Sequence, residues 1–289
     1  MRPIGLQPMT PLPGEGKSFL KWAGGKTRYA KTLVAVAPAF TGTYREPFLG
    51  SGAVFFELNP SRAILSDANE ELIICFREVA KDAEAVMKRL DDYINTREHF
   101  EEVRSQNPAA LSNLDRAARV IYLNKTSFRG LWRVNQKGQF NTPYGAYDRP
   151  YYSRQTLSEA SKLLAGAEIR VADFQEQLDQ ATEGDWVYLD PPYIPLGGWA
   201  DFKRYTPGQF NEDDHIRLFK AMKRASERGV FVTLSNSDTP FVRDLFKNDF
   251  NIAKMATRRD INLQAAKREN WDLVVTNYKL PNTVTQLAT

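Results

Sequence analysis

The tetrapeptide Asp190-Pro191-Pro192-Tyr193 combines residue types that suit one kind of chemistry. An aromatic amine, such as the exocyclic nitrogen of adenine, is a poor nucleophile because its lone pair is delocalised into the ring. The Asp190 carboxylate and the Pro191 carbonyl can accept its two N–H bonds and draw the nitrogen toward a tetrahedral shape. The prolines fix the backbone and add no competing N–H donor, and Tyr193 offers a ring for stacking a base. The alternative is an Asp-Pro-Pro turn that only ends a strand.

Asp190 is expected to accept hydrogen bonds and supply negative charge rather than to act as a base. A free aspartate has a pKa of about 3.9, which is far too low to deprotonate an aromatic amine outright. The amine proton can therefore leave after the nitrogen has attacked, and electrostatic stabilisation by the carboxylate assists the step.

A glycine turn early in the chain offers a site for the electrophile. Gly50 and Gly52 lie in segment 47–53 (PFLGSGA), between a predicted strand and a predicted helix, where glycines allow a tight turn and close backbone approach to a ligand. Asp67 ends the next predicted strand, where an acid can accept both hydroxyls of a ribose. Phe55 replaces the third glycine of the dinucleotide fingerprint, which favours a smaller adenosyl ligand. The alternative is a plain glycine turn with Asp67 as a helix cap.

Three more residues are expected beside this ligand. Asp173 follows another predicted strand end, and the adjacent ring of Phe174 can cover an adenine. Phe48 belongs to the glycine turn itself, and we include it in the predicted ligand site.

Two Gly-Lys-Ser/Thr triplets, at residues 16–18 and 25–27, imitate the end of a phosphate-binding loop. The full motif requires a glycine five positions before its second glycine, and those positions hold Pro11 and Leu20. A nucleotide triphosphatase is therefore disfavoured and stays as an alternative that a hydrolysis assay would expose. Lys26, expected just inside a helix start, is well placed to meet a carboxylate.

These residues are held by an alternation of strands and helices. Periodicity, caps and short apolar runs predict helices near residues 27–37, 54–58, 69–92, 114–125, 156–164, 175–181 and 212–228, and strands near 43–46, 63–65, 168–171, 186–189, 230–234, 252–255 and 271–278. The alternation predicts an α/β fold with a mostly parallel sheet and an antiparallel edge strand. Ligands bind at the carboxyl ends of the strands in such sheets, which places Asp190 in the crevice. Residues 235–237 (SNS) are expected to follow a strand end near it.

The alternation lapses between residues 99 and 152, where we predict an inserted segment. Residues 128–145 predict a β-hairpin with its turn near Lys137 and Gly138. Residues 115–158 contain eight basic and two acidic side chains, a net charge of +6 in a chain whose total is +4. Lys137 can neutralise a DNA phosphate. The planar guanidinium of Arg133 suits the hydrogen-bonding edge of a guanine in the major groove. The Phe128 ring can insert into the base stack when a base leaves it. The alternative is a solvated basic hairpin whose aromatic residues form a minor core.

The composition excludes several other classes of protein. The 289 residues are 42% apolar and 26% charged, which is typical of a globular protein with a real core. The single cysteine, Cys75, rules out an intramolecular disulfide, and the distant His99 and His215 leave no zinc spacing, so no metal is expected. No apolar run reaches the roughly 18 residues of a membrane helix, so we expect no membrane partner and a cytoplasmic location.

Four motifs, in this order, resemble the Dam-like, D12-class adenine-specific DNA methyltransferases in their alpha-group arrangement. They are FLKWAGGK at 19–26, EPFLGSG at 46–52, SDAN at 66–69 and DPPY at 190–193. The resemblance runs from about residue 18 to 278 and implies a class I, Rossmann-like methyltransferase fold. It implies S-adenosylmethionine as cofactor and S-adenosylhomocysteine as product. It also places Trp22, Lys26, Asp67 and Asp190 at the cofactor and target positions.

The resemblance further implies that the inserted segment contacts double-stranded DNA. Leu131, Arg133 and Pro143 match positions that contact a GATC site, the Phe128 position matches an intercalating aromatic residue, and Lys21 matches a position that helps to contact DNA. Arg129 departs from the pattern, because close GATC-specific relatives usually have asparagine there. The expected target is therefore GATC or a related site.

The leading hypothesis is an enzyme that flips adenine from duplex DNA and methylates its N6 amine. We expect it to be a monomer in the cytoplasm, associated with the nucleoid, or in the host cytoplasm if it is phage-encoded. It would act alone or in a restriction–modification system. Residues 18–68 and 153–280 are expected to form the catalytic domain, 69–152 the recognition domain, and 1–17 and 281–289 two tails.

Two classes of alternative stay open at this point. The same fold acts on cytosine N4 amines, RNA or a protein glutamine amide, although Asp rather than Ser or Asn at position 190 favours adenine within the resemblance. The other is a DNA-binding module without catalysis. The glycine turn, Asp67 and Asp190 count against that reading.

Overall fold

The computed structural model of the protein describes residues 18–193, 210–257 and 270–280. Its α-helices are α1 (Ala30–Ala35), α2 (Ala53–Leu58), α3 (Glu70–Asp91), α4 (Arg97–Ser105), α5 (Asn113–Thr126), α6 (Arg154–Leu164), α7 (Phe174–Asp179), α8 (Glu212–Glu227) and α9 (Pro240–Phe246). Its strands are β1 (Tyr44–Glu46), β2 (Ala63–Asp67), β3 (Ala167–Val171), β4 (Trp186–Leu189), β5 (Phe231–Ser237), β6 (Asn251–Thr257) and β7 (Asn270–Thr276). The two expected tails, 1–17 and 281–289, lie outside the described residues.

One seven-stranded sheet contains these strands in the order β3-β2-β1-β4-β5-β7-β6. The strands from β3 to β5 pair in parallel, whereas β7 pairs antiparallel with both β5 and β6. The mostly parallel sheet with an antiparallel edge is therefore confirmed, and β7, the reversed strand, stands one place inside the edge strand β6. The strand order changes direction between β1 and β4, which is where open sheets of this kind form their ligand crevice.

The central strand β4 shows how the sheet is buried. Its four residues are all buried, as expected for a parallel strand covered on both faces. Trp186 and Tyr188 belong to the apolar layer that contains α2, α3, α5 and α6. Val187 and Leu189 belong to the layer that contains α7, α8 and α9. This alternation along β4 fixes its register and therefore the position of Asp190 directly after it.

The inserted segment shares its core with the sheet. Helix α3 contacts α5 and α6 and also β2 and β3, so one helix serves both the sheet layer and the insert. Within the segment predicted as a hairpin, Trp132 and Phe140 are buried in the main core and only 2% and 7% exposed. The aromatic residues of the insert therefore hold it onto the rest of the protein, with Phe128 as a 47% exposed exception.

The β-hairpin predicted for residues 128–145 is present, but it is irregular. The segment turns back near Gly138, as expected, and its two arms pair through two isolated antiparallel bridges, Ser127 with Tyr144 and Val134 with Phe140. Backbone bonds cross between the arms, and Thr142 adds a side-chain bond to the Leu131 carbonyl at 2.9 Å. Asn135 does the same at the turn, where its side-chain oxygen accepts the N–H groups of residues 137 and 139.

Three other elements differ from the sequence prediction. Helix α1 begins at Ala30 rather than near residue 27, because a turn with left-handed Gly24 (φ +79°) precedes it. Helix α4 was not predicted, since Phe100 and Val103 are its only buried residues and give little periodicity. Strand β5 extends to Ser237, so the segment 235–237 lies within the strand and not after it.

Candidate active site at the carboxyl edge of the sheet

Asp190 follows the last residue of β4 and is held by two side chains from distant parts of the chain. The Lys26 ammonium lies 2.6 Å and 2.8 Å from its two carboxylate oxygens. Ser235, the neighbour in strand β5, donates its hydroxyl to the same carboxylate at 2.8 Å. Lys26 is only 5% exposed and also donates to the Gly24 carbonyl at 2.9 Å. The expected meeting of Lys26 with a carboxylate is therefore realised with Asp190, from a turn rather than from a helix start.

The protonation of Asp190 depends on this arrangement. Burial raises the pKa of the Asp190 carboxyl above its ordinary value, whereas the charge and hydrogen bond of Lys26 and the Ser235 hydroxyl lower it. The negative charge of Asp272 acts against Lys26 and Ser235 and raises the pKa of Asp190. Lys26 therefore favours an ionised carboxylate in a place where burial alone would favour the neutral acid.

Tyr193 is fixed at both ends of its side chain. Its hydroxyl donates to Asp272 at 3.1 Å, and the Lys26 ammonium lies 4.7 Å from the centre of its ring. Asp272 reaches the site because β7 runs in reverse, which brings the start of β7 to the carboxyl ends of the parallel strands. The ring predicted to stack a base therefore stands beside Asp190 in a fixed orientation.

The glycine turn lies next to this group, between β1 and α2. Gly50 and Gly52 have φ angles of +47° and +66°, in the left-handed region that favours glycine. A Cβ at Gly50 would lie 2.9 Å from the Trp22 ring, so Trp22 closes over the turn. Asp67 accepts the Gly50 N–H at 3.1 Å and the Asn69 N–H at 2.9 Å. Each Asp67 oxygen retains acceptor capacity for a ligand hydroxyl.

Three buried acids lie at this edge of the sheet. Burial raises the pKa of Asp67 to about 6, and three backbone N–H groups oppose that rise. Burial also raises the pKa of Glu46, at the end of β1, to about 8, with Asp190 and Asp67 adding to the effect. A cationic ligand would stabilise all three carboxylates in their ionised form. The acids and the left-handed glycine turn therefore fit a ligand with a sulfonium, an ammonium and a ribose.

Glu46→Gln is expected to raise the free energy of unfolding at pH 8 much more than at pH 5. The unfolded glutamate titrates near pH 4.3 and the folded one near pH 8, so the folded state binds more protons between these values and wild-type stability falls as pH rises. The loss is at most about 1.4 kcal/mol per pH unit. Glutamine is neutral throughout, accepts from Tyr44 and Phe55 as Glu46 does, and escapes this loss.

Denaturant unfolding from pH 5 to pH 8 measures the difference for Glu46→Gln. Glu227→Gln, at an exposed position of α8, is the control and should follow the wild type. Parallel curves for Glu46→Gln and the wild type would show that Glu46 does not titrate in this range.

An aromatic group lies on the other side of the glycine turn. The rings of Phe48 and Phe174 are 5.4 Å apart and nearly parallel, and Phe210 packs against both edge-on. Asp173 does not point into this group. Its carboxylate caps α7 and pairs with Arg217 at 2.6 Å on the surface.

The predicted DNA-contacting residues lie on the inserted segment and the opening motif. Phe128 and Lys137 are exposed, as are Pro143 and Lys21, while Leu131 and Arg133 are half-buried. Arg129 has a φ angle of +59°, and its guanidinium carbon lies 5.3 Å from the Phe128 ring centre. Three of the eight basic residues counted in the sequence serve the fold instead: Arg116 pairs with Glu71, Arg119 donates to carbonyls, and Arg154 pairs with Glu84.

Two contacts join the inserted segment to the opening motif. The Trp22 and Trp132 rings are nearly parallel, with centres 6.2 Å apart. The Asn124 side chain accepts the Lys21 N–H at 2.9 Å and donates to the Lys21 carbonyl at 2.7 Å. The opening motif therefore lies between the glycine turn and the inserted segment.

Sequence reasoning missed several residues of this site. Glu46 is not among the predicted site residues, although it ends a predicted strand just as Asp67 does. Phe210 lay between predicted elements and gave no signal. Asp272 depends on the reversed direction and register of β7, which no local pattern specifies.

The described residues contain neither a grouped metal-binding set nor a membrane-spanning helix. In the ranges 18–193, 210–257 and 270–280, no three His, Cys, Asp or Glu side chains are grouped so that they could bind a metal ion. None of the helices in this part of the chain is both long enough and apolar enough to cross a membrane.

Comparison with known proteins gives consistent matches. The family model described as D12 class N6 adenine-specific DNA methyltransferase matches residues 22–261. The chain is 37% identical to the type II methyltransferase M1.LlaDCHI of Lactococcus lactis subsp. cremoris, covering 91% of this chain and 95% of that protein. It is also 37% identical to the type II methyltransferase M.MjaIII of Methanocaldococcus jannaschii, covering 91% and 100%. A DNA adenine methylase of Vibrio cholerae is 32% identical, with 89% and 94% covered.

Proposed function

Since the chain belongs to the D12 class of N6 adenine-specific DNA methyltransferases, we propose that Asp190, Pro191, Pro192 and Tyr193 receive the target adenine at the end of β4. The protein is an enzyme that methylates adenine in DNA, and its fold and family imply S-adenosylmethionine as the methyl donor. The assignment of individual residues, the flipping of the base and the recognised sequence belong to this proposal.

The observation that carries the residue assignment is the anchored carboxylate of Asp190. Lys26 and Ser235 hold its oxygens from one side, while the fixed Tyr193 ring lies beside it. Asp190 and the Pro191 carbonyl accept the two amine N–H bonds and increase the electron density on the nitrogen. The amine proton leaves after the methyl group has been transferred.

The cofactor, when bound, supplies an electrophilic methyl group on a sulfonium. Asp67 would accept hydrogen bonds from the ribose hydroxyls. The backbone of the glycine turn, at Gly50 and Gly52, would contact the ligand. Phe48, whose ring stacks on the 3% exposed ring of Phe174, would offer aromatic surface for the adenine, with Phe174 supporting it and Asp173 at the margin. The remaining proposed cofactor contacts are Trp22, which covers the turn, and the ion pair of Lys26 with Asp190. S-adenosylhomocysteine would leave from the same residues.

The inserted segment would present the DNA to this crevice. The adenine amine is shielded in a duplex, so the base must leave the stack before it can react. The 47% exposed ring of Phe128 is suited to fill the space that the base vacates. Leu131, Arg133 and Pro143 are assigned to base contacts, and Lys21 and Lys137 to the DNA backbone or adjacent edges.

Arg129 bears on which sequence is recognised. A left-handed backbone is easier for asparagine than for arginine, and here the conformation is supported by a bond from the Arg129 N–H to the Tyr147 hydroxyl at 2.7 Å. The Arg129 guanidinium lies over the Phe128 ring. It therefore adds N–H donors beside the ring that is proposed to enter the base stack. The presence of Arg129 at this position supports recognition of GATC, or of a related sequence with a different base preference near the flipped adenine.

We assign residues 18–68 and 153–280 to catalysis and 69–152 to recognition, with α3 contacting both. A monomer in the cytoplasm, associated with DNA, is the simplest setting for this activity. One active crevice and one recognition segment on the same chain support the monomer, because a single chain then carries both.

Digestion of methylated DNA to nucleosides, together with single-molecule sequencing of DNA from expressing cells, tests the proposal. We expect N6-methyladenine confined to GATC or one related short duplex sequence. N4-methylcytosine or methylated RNA would transfer the activity to another amine or polymer. DNA binding without cofactor binding would identify a recognition module without catalysis.

A further inference from the structure

Two buried hydroxyls lead through the sheet to the Asp190 carboxylate. The hydroxyl oxygens of Tyr188 and Ser235 are 2.9 Å apart, and Ser235 donates to Oδ1 of Asp190 at 2.8 Å. Tyr188 is 1% exposed and Ser235 is 0% exposed, so both hydroxyls are shielded from bulk water. The bond from Ser235 to Asp190 belongs to the site described above, whereas the Tyr188 phenol behind it has no role there.

The register of strands β4 and β5 brings these groups together. Leu189 pairs with Leu234, so the residues that follow them, Asp190 and Ser235, stand side by side. Tyr188, two residues before Asp190, is then a diagonal neighbour of Ser235, within reach of a long aromatic side chain. Side chains two residues apart in a strand project to the same face, which is why one hydroxyl of β5 meets both.

The direction of the hydrogen bonds follows from the ionised state of Asp190. A carboxylate only accepts hydrogen bonds, so the single hydroxyl hydrogen of Ser235 points to Asp190. Tyr188 is then the donor in its bond with Ser235. Burial and the charge of Asp190 raise the pKa of the Tyr188 phenol, so it keeps the proton that this bond requires. Consecutive hydrogen bonds that point the same way polarise and strengthen one another.

The two oxygens of the Asp190 carboxylate are occupied unequally. Oδ1 accepts from Ser235 at 2.8 Å and from Lys26 at 2.6 Å. Among the residues that the structure describes, Oδ2 accepts only from Lys26, at 2.8 Å. Each carboxylate oxygen has two lone pairs. Oδ1 is therefore filled, and Oδ2 retains one lone pair for a ligand N–H.

We propose that Tyr188 is a positioning residue for methyl transfer, which acts through Ser235 to hold Oδ1 of Asp190 and thereby presents Oδ2 to the adenine amine. This inference rests on the proposed function, because it takes Asp190 as the group that receives the amine. Without the phenol, the Ser235 hydroxyl is free to rotate. Oδ1 then loses its fixed donor, and the carboxylate loses its preferred orientation toward the substrate.

Tyr188→Phe tests this role because it keeps the buried ring and removes only the hydroxyl. We expect single-turnover methyl transfer at saturating cofactor and DNA to slow about fivefold, and about tenfold for Ser235→Ala, which removes a hydrogen bond to a charged group. The double variant should be no slower than Ser235→Ala, because both changes act through one bond. Tyr278→Phe is the matched control and should keep the wild-type rate, since its hydroxyl lies 2.6 Å from that of Thr233 on the same strand.

The pH–rate profile separates positioning from a general loss of structure. The Ser235 hydrogen bond lowers the pKa of Asp190, so weakening or removing it raises that pKa. A higher pH is then needed to ionise the carboxyl, and the acid limb of the profile moves to higher pH in both Tyr188→Phe and Ser235→Ala. The other titratable groups that face Asp190 are unchanged in these variants: Lys26 from the opening motif, Glu46 at the end of β1, Tyr193 after β4 and Asp272 at the start of β7.

Asp190→Asn separates this inference from the proposed function. Its residual activity has no Asp190 carboxyl to titrate, so adding Tyr188→Phe should not move its pH profile. The inference is overturned if Asp190→Asn is slow while Tyr188→Phe matches Tyr278→Phe, or if the Tyr188→Phe profile is lower but parallel to that of the wild type. Wild-type transfer by Asp190→Asn would instead contradict the proposed function. Melting temperatures identify the folded variants, and Tyr188→Phe decides the matter if Ser235→Ala does not fold.

Discussion

Asp190→Asn is expected to slow methyl transfer by roughly 10²–10³-fold at saturating cofactor and DNA, since one preorganised electrostatic contact to a transition state has about this effect. The asparagine oxygen can still accept one N–H bond, but the negative charge that favours the attacking amine is gone. Single-turnover transfer of labelled methyl groups to duplex DNA measures the rate of the chemical step directly.

The Asp190→Asn variant also needs a stability measurement. Lys26 is 5% exposed, and a buried cation without a counter-charge destabilises a protein by about 3–5 kcal/mol. Melting temperatures separate slow chemistry from unfolding, and Asp249→Asn, at a surface ion pair with Lys223, is the matched control. A folded Asp190→Asn protein with the wild-type transfer rate would remove this carboxylate from the mechanism.

Lys26→Met is expected to reduce kcat/KM at least tenfold at pH 7 and to recover part of that loss by pH 9. The Lys26 ammonium lowers the pKa of Asp190 against the effect of burial, so its removal raises that pKa further. A larger fraction of the enzyme would then carry neutral Asp190 at pH 7. The acid limb of the pH–rate profile therefore moves to higher pH.

Lys26→Arg keeps a cation at the same place and should retain the wild-type position of the acid limb, even if its geometry slows the reaction. Complete pH profiles of the three proteins decide the matter. If the Lys26→Met profile is lower but parallel to that of the wild type, Lys26 serves the site in some way other than by ionising Asp190.

The sheet was predictable because its strands carry their own signals. The short apolar run at 186–189 matches β4 residue for residue, and the helix predicted near 212–228 matches α8, which Asn211 caps. The hairpin was predictable in outline but not in its detail. Its alternating aromatics predicted strand pairing, whereas Trp132 and Phe140 turn into the main core and the two arms pair only through isolated bridges and side-chain bonds.

The candidate site was predictable only where it follows strand ends. Asp67 and Asp190 occupy their expected places because parallel strands end at one edge of the sheet. The contacts of Asp190 with Lys26, 164 residues away, and of Tyr193 with Asp272, 79 residues away, depend on tertiary packing. No spacing within a single motif encodes the distance between such residues.

Trp22 lies between the proposed cofactor site and the segment proposed to read the DNA sequence. Its indole contacts the glycine turn and also stacks on Trp132 of the inserted segment. If the affinities of two ligands both depend on the position of the Trp22 ring, each ligand changes the affinity for the other by the same factor. The correct DNA sequence and the methyl donor would then recruit each other through one tryptophan, with no moving domain between them.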